Sequence, residues 1–148
     1  MNAEPPVGAY RSKTLATWIA FFGGVVGLHR FYLHGLRDVW GWLFPLPTIV
    51  GVLGIQRVLD FGQDDRAAWV MMPLLGLTLS TAMLTAVVYG LTPDEKWHAR
   101  FNPRLAEPPE SGWIAILGVI ASLLVGAGVL MATIAFSAQR YFEFAAGG

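Results

Sequence analysis

The 148-residue chain contains no cysteine, which removes disulfides, thiol nucleophiles and thiolate metal sites together. It is also poor in charge. Only 14% of its residues are Asp, Glu, Lys or Arg, where a soluble domain carries about a quarter. Its formal net charge is zero, so it has no electrostatic footprint for nucleic acid. The charge that is present is unevenly placed. Residues 14–28, 39–55, 67–91 and 112–138 contain none of it. These stretches make up more than half of the chain, and an even scatter of the charged residues would put about eleven inside them. Burial in a soluble core does not demand such exclusion, but hydrocarbon does.

What is present is apolar: 55% of the chain is hydrophobic. The reading that follows is an all-α integral membrane protein with four transmembrane helices arranged as two hairpins. Residues 1–10, with Pro5, Pro6 and Gly8, read as a disordered lead-in. Residues 11–62 read as the first hairpin and residues 67–140 as the second. The apolar run from Thr14 is followed by His29-Arg30-Phe31-Tyr32 rather than a small-x-small cleavage site, so it reads as a retained span. At 1.5 Å per residue it covers about 22 Å, short of a hydrocarbon core of about 30 Å, so Phe31 to Leu33 are expected to prolong it. In the second span Pro45 and Pro47 remove two amide donors, which predicts a kink or a re-entrant segment.

The third and fourth spans are joined by a segment that reads as an interfacial helix at about 93–101. Thr92 is placed to cap it, Pro93 suits its first position, Glu95 completes a capping box, and Asn102-Pro103 stops it. Trp97 and Phe101 then share one face. Trp40, Trp42, Trp97 and Trp113 are expected at one interface, and Tyr10, Phe61, Trp69 and Tyr141 at the other.

Helices in lipid associate by close packing, so small residues four apart are informative. The first span carries Ala16, Ala20 and Gly24, with Gly23 and Gly27 on a second row. The third carries Thr78, Ala82, Ala86 and Gly90, and the fourth carries Gly118, Ser122 and Gly126. These rows predict a tight bundle, with the partner helix in the same chain, in a second copy or in another membrane protein.

Residues 11–60 resemble the two-transmembrane domain family. The likeness rests on Ser12-Lys13-Thr14, on Phe21-Phe22-Gly23-Gly24, and on Gly27-Leu28-His29-Arg30-Phe31-Tyr32-Leu33. The chain departs from the family pattern at His34, which precedes Gly35, and at Gln56 and Arg57, where aromatics are usual. The resemblance implies a bacterial inner membrane or an animal membrane, no catalysis, and no agreed molecular activity. It also implies a motif loop of Gly27, His29, Arg30, Phe31 and Tyr32, closed by Asp38. Antiparallel placement of the two helices pairs Arg30 with Asp38 on one side, and Lys13 with Asp60 on the other.

Three histidines, His29, His34 and His98, are the candidates for acid–base or metal chemistry, and their spacing does not set them on one helical face. No cofactor and no enzymatic activity are expected. The partner that the composition does require is the lipid bilayer. A membrane interaction, scaffold or accessory role is expected by elimination. The alternative is a small oligomeric transporter or channel subunit, with Ser80, Thr81, Thr85, Ser122 and Thr133 as its polar groups at depth. The basic residues fall five to a side in a four-span topology. Arg11, Lys13, Arg57, Arg66 and Arg140 balance Arg30, Arg37, Lys96, Arg100 and Arg104, and orientation is undecided.

Overall fold

The structure, a computed structural model, describes residues 9–147, so residues 1–8 of the expected lead-in lie outside the described residues. The chain is all-α. Helix α1 (Lys13–Gly23) is followed by a 3-10 turn (Gly24–Val26) and α2 (Leu28–His34). Then come α3 (Val39–Leu43), α4 (Pro45–Phe61), α5 (Arg66–Leu91), α6 (Asp94–Phe101) and α7 (Trp113–Ala146).

Among the described residues three helices, not four, are long and apolar enough to cross a membrane: Val39–Phe61, Arg66–Leu91 and Trp113–Ala146. The first apolar helix, Lys13–Val26, is shorter, and the chain does not prolong it. Gly27 takes φ +77°, a left-handed conformation that reverses the direction, and α2 runs back alongside α1. The Ser12 amide donates to the Tyr32 hydroxyl at 2.9 Å, and Ala16 and Leu33 share a buried cluster with Trp97. Residues 13–34 therefore form a helical hairpin that enters and leaves the bundle at the same end. The expectation of two crossing hairpins fails here. The span too short to cross alone turns back at a glycine instead of extending through Phe31.

The prolines of the second span act more gently than expected. Phe44 keeps helical angles (φ −60°, ψ −41°), so α3 and α4 continue one another over 23 residues, about 34 Å. The Thr48 hydroxyl donates to the Val25 carbonyl at 2.7 Å and to Phe44 at 3.1 Å, knitting the Pro-rich stretch to the tip of the short hairpin. Gly27 sits against the carbonyl of Gly41, the acceptor that loses its helical donor at Pro45.

Burial is inverted relative to a soluble protein. Ala16, Ala20, Ala68, Ala82 and Ala86 are wholly buried, whereas Leu59, Val70, Leu124 and Met131 are more than two-thirds exposed. Small residues inside and large aliphatics outside is what close helix packing in lipid produces. Each of the three small-residue rows is packed against by another helix of the same chain, and Gly24 with Ala82 joins two of the rows. Gly24 lies on Ala82, Gly90 on Val119 and Thr17, Gly118 on Thr17, and Gly126 on Met83. Gly23 and Gly27 part company, with Gly23 against Leu28 and Gly27 against Gly41. The α4–α5 seam, which those rows did not include, rests on Gly51 against Leu75 and Gly54 against Met71 and Met72. Its spacing of three rather than four hides it from a four-residue search.

Candidate functional site

Arg30, His34, Asp38, Trp97 and His98 gather at the end of the bundle where α1 begins, here the near end. Helix α6 folds against α1 and α2 rather than lying free. Trp97 is 1% exposed, and its Nε1 donates to the Arg11 carbonyl at 2.8 Å. Phe101 packs on it with the rings tilted by 46°, at 4.5 Å between ring centroids. The expected cap is absent, because the Thr92 hydroxyl donates back to Val88 in α5. Asp94 instead accepts from the Ser111 hydroxyl at 2.6 Å and faces Lys13 at 2.7 Å. Burial raises the Asp94 carboxyl, but the bonds from Lys13 and Ser111 outweigh that and hold it at about 2.

Lys13 thus pairs with Asp94 and not with Asp60. The hairpin brings Lys13 to the near end, whereas Asp60 leaves α4 at the far end. Tyr10 is likewise at the near end, 6.2 Å from the His98 ring, and not in the far aromatic group. Trp69 does lie at the far end, with the Arg140 guanidinium 5.3 Å over its ring.

Within the motif, Arg30 meets Asp38 through two bonds of 2.6 and 3.3 Å. The Asp38 carboxyl, held below its ordinary range chiefly by Arg30, also accepts from the Trp40 amide at the start of α3. Phe31 packs on Trp42 at 5.0 Å and on Gly41, and Tyr32 bonds Ser12. These two aromatics seat helix on helix. His29 is 1% exposed between Phe44 and Tyr89, at 5.3 and 5.9 Å. His98 bonds Asn102 and Pro109, while His34 lies 3.9 Å from Asp38. Among the described residues, no group of three His, Cys, Asp or Glu could hold a metal ion.

The turn around Arg30 has a twin. Arg30, Gly35, Asp38 and Trp42 recur at identical spacing as Arg57, Gly62, Asp65 and Trp69. Arg57 meets Asp65 at 2.6 and 3.2 Å, and Asp65, also depressed chiefly by its arginine, caps α5 through Ala67. Trp42 Nε1 donates to the Leu36 carbonyl at 3.0 Å, and Trp69 Nε1 to Gln63 at 2.7 Å. Comparing the chain with itself, offset from Arg30 to Arg57, would have found this second turn. A search for functional residues alone passed over it.

No family model, no curated protein and no solved structure matches the chain.

Proposed function

We propose that this is a membrane-embedded accessory or scaffold protein that acts by contact and not by chemistry. The observation that carries the reading is an outward-open apolar groove of about 360 Å³ between α5 and α7, bordered by Leu77, Leu84, Leu123, Gly126 and Leu130. The small-residue rows are already occupied by the chain's own helices. This groove is where a helix from another membrane protein, or a second copy, would seat.

The transporter alternative draws less support. The hydroxyls of Ser80, Thr81, Thr85, Ser122 and Thr133 each donate to a carbonyl four residues back in their own helix. Their donors are engaged locally and do not line a polar path.

The hairpin also bears on orientation. With residues 13–34 turning back, Arg11, Lys13, Arg30, Arg37, Lys96, Arg100 and Arg104 share the near end, opposite Arg57, Arg66 and Arg140. The tie becomes seven against three, and the positive-inside rule puts the near end in the cytoplasm. Resemblance to the two-transmembrane domain family points the same way, since its animal members are thought to hold the motif loop there. A bacterial inner membrane fits that likeness.

The test is photocrosslinking in the membrane from Leu84 and Leu123, with Leu59 on the outer face of α4 as control. Polypeptide adducts from the groove positions, absent from Leu59, are expected. Lipid adducts alone at all three positions would overturn the reading.

A further inference from the structure

A second concavity, of about 610 Å³, opens at the near end between the segment before α1, the end of α2, and the connection from α6 to α7. Its walls are of two kinds. Leu33, Phe101 and Leu105 supply apolar surface, while Arg11, Arg100 and Arg104 supply guanidinium groups, with His34 beside them. No carboxylate lines it. Among the described residues none of the three arginines has a carboxylate within 4.0 Å. The nearby Asp38, 3.9 Å from His34, is already held by Arg30 through two bonds. Three like charges around one cleft repel one another unless an anion joins them.

Arg11 is held in place by the fold. Its amide donates to Asn102 Oδ1 at 2.8 Å, and its carbonyl accepts from Asn102 Nδ2 at 3.0 Å and from Trp97. Its guanidinium donates to the Tyr32 carbonyl and lies 5.4 Å over the Tyr32 ring. Asn102 and Trp97 are themselves buried. Two buried polar side chains thus position one cation at the cleft, while Arg100 rests 5.3 Å over the Phe101 ring. A planar guanidinium fork suits phosphate oxygens better than a point charge does. The depth suits lipid: the cleft adjoins α6 where the spans α5 and α7 end, at the level of headgroups.

We propose that this cleft binds the phosphate of an anionic phospholipid headgroup, with the arginines on the phosphate and the apolar walls against the glycerol and upper acyl region. The inference stands apart from the groove between α5 and α7, and neither depends on the other.

The test is native mass spectrometry of the full chain released from nanodiscs containing phosphatidylglycerol or phosphatidylcholine, with a separate titration of inorganic phosphate. Retention of one phosphatidylglycerol per chain, about tenfold over phosphatidylcholine, is expected. Arg100→Gln with Arg104→Gln should abolish that preference, and both side chains are exposed, so folding is not at stake. Arg37→Gln, at the same end but outside the cleft, should leave it intact. Equal retention of the two lipids would overturn the proposal, as would an equal loss in Arg37→Gln, which would mean diffuse surface charge. Displacement of the lipid by millimolar inorganic phosphate would assign the cleft to a soluble anion and overturn the lipid assignment.

Discussion

The turn from α2 into α3 and the turn from α4 into α5 are built alike. In each, an arginine four residues before the end of one helix reaches forward to the aspartate that caps the next, and a tryptophan one turn on closes over the loop. Each bend is made by a glycine, Gly35 at φ +83° and Gly62 at φ +89°, with ψ of 175° and 178°, a region essentially reserved for glycine. They differ in what feeds them. The near turn is reached by the seven-residue α2 of a hairpin that never crosses. The far turn is reached by a continuous 23-residue span. The same local chemistry thus serves both faces of the bundle, and the turn itself carries no information about whether the helix before it has crossed. The arginine–aspartate pair and the cap are local in sequence. Crossing depends on the length of apolar helix and on Gly27.

The strongest way to break the comparison is topology. The chain lacks cysteine, so single cysteines at Ser12, His34, Gln63, Arg104 and Ala146 can be labelled from either side without background. Ser12, His34 and Arg104 should react on one side, the cytoplasmic one, and Gln63 and Ala146 on the other, an all-or-none difference. Ser12 and His34 on opposite sides would restore the four-span arrangement and make both turns ends of crossing helices.

A smaller effect sharpens the likeness. Neither Gly35 nor Gly62 has an atom within 4 Å of where a Cβ would stand, so alanine there meets only backbone strain. Gly35→Ala and Gly62→Ala should each lower stability by about 1–3 kcal/mol, read as thermal unfolding in mild detergent. Similar losses would show equivalent turns. A loss at Gly62 alone would show that the near turn is held by α6 and α1 and not by its own glycine.

The smallest effect concerns the closing tryptophans. Trp42→Phe and Trp69→Phe each keep an aromatic side chain, though a smaller one, and delete one hydrogen bond to a loop carbonyl. Each should cost about 1 kcal/mol in the same assay. A cost at one tryptophan only would end the claim that the two turns are energetically alike.

Much of this protein is local enough to read from residues in order. The four apolar stretches name the helices, because charge is excluded from hydrocarbon whatever the arrangement. Arg30 with Asp38 is legible because the two are eight apart across a tight turn, and the end of α6 is legible from Asn102-Pro103. Lys13 was misplaced for the opposite reason. Its partner Asp94 is distant in sequence, and which of two remote acids it meets depends on whether α1 crosses or turns back. The small-residue rows were visible, yet their partners were not, since a glycine groove fits any helix backbone and only the folded bundle selects one. The sequence by itself determined the all-α class, where the apolar stretches lie and the chemistry of the turns, but not how many of those stretches cross. The tertiary structure alone decided that α1 and α2 double back at Gly27, and so that the basic residues collect at one end, that Arg11 stands beside Arg100 and Arg104, and that the small-residue rows are filled from within the chain. Those outcomes rest on contacts between segments far apart in the chain, where each partner's position is set by the packing of all the others.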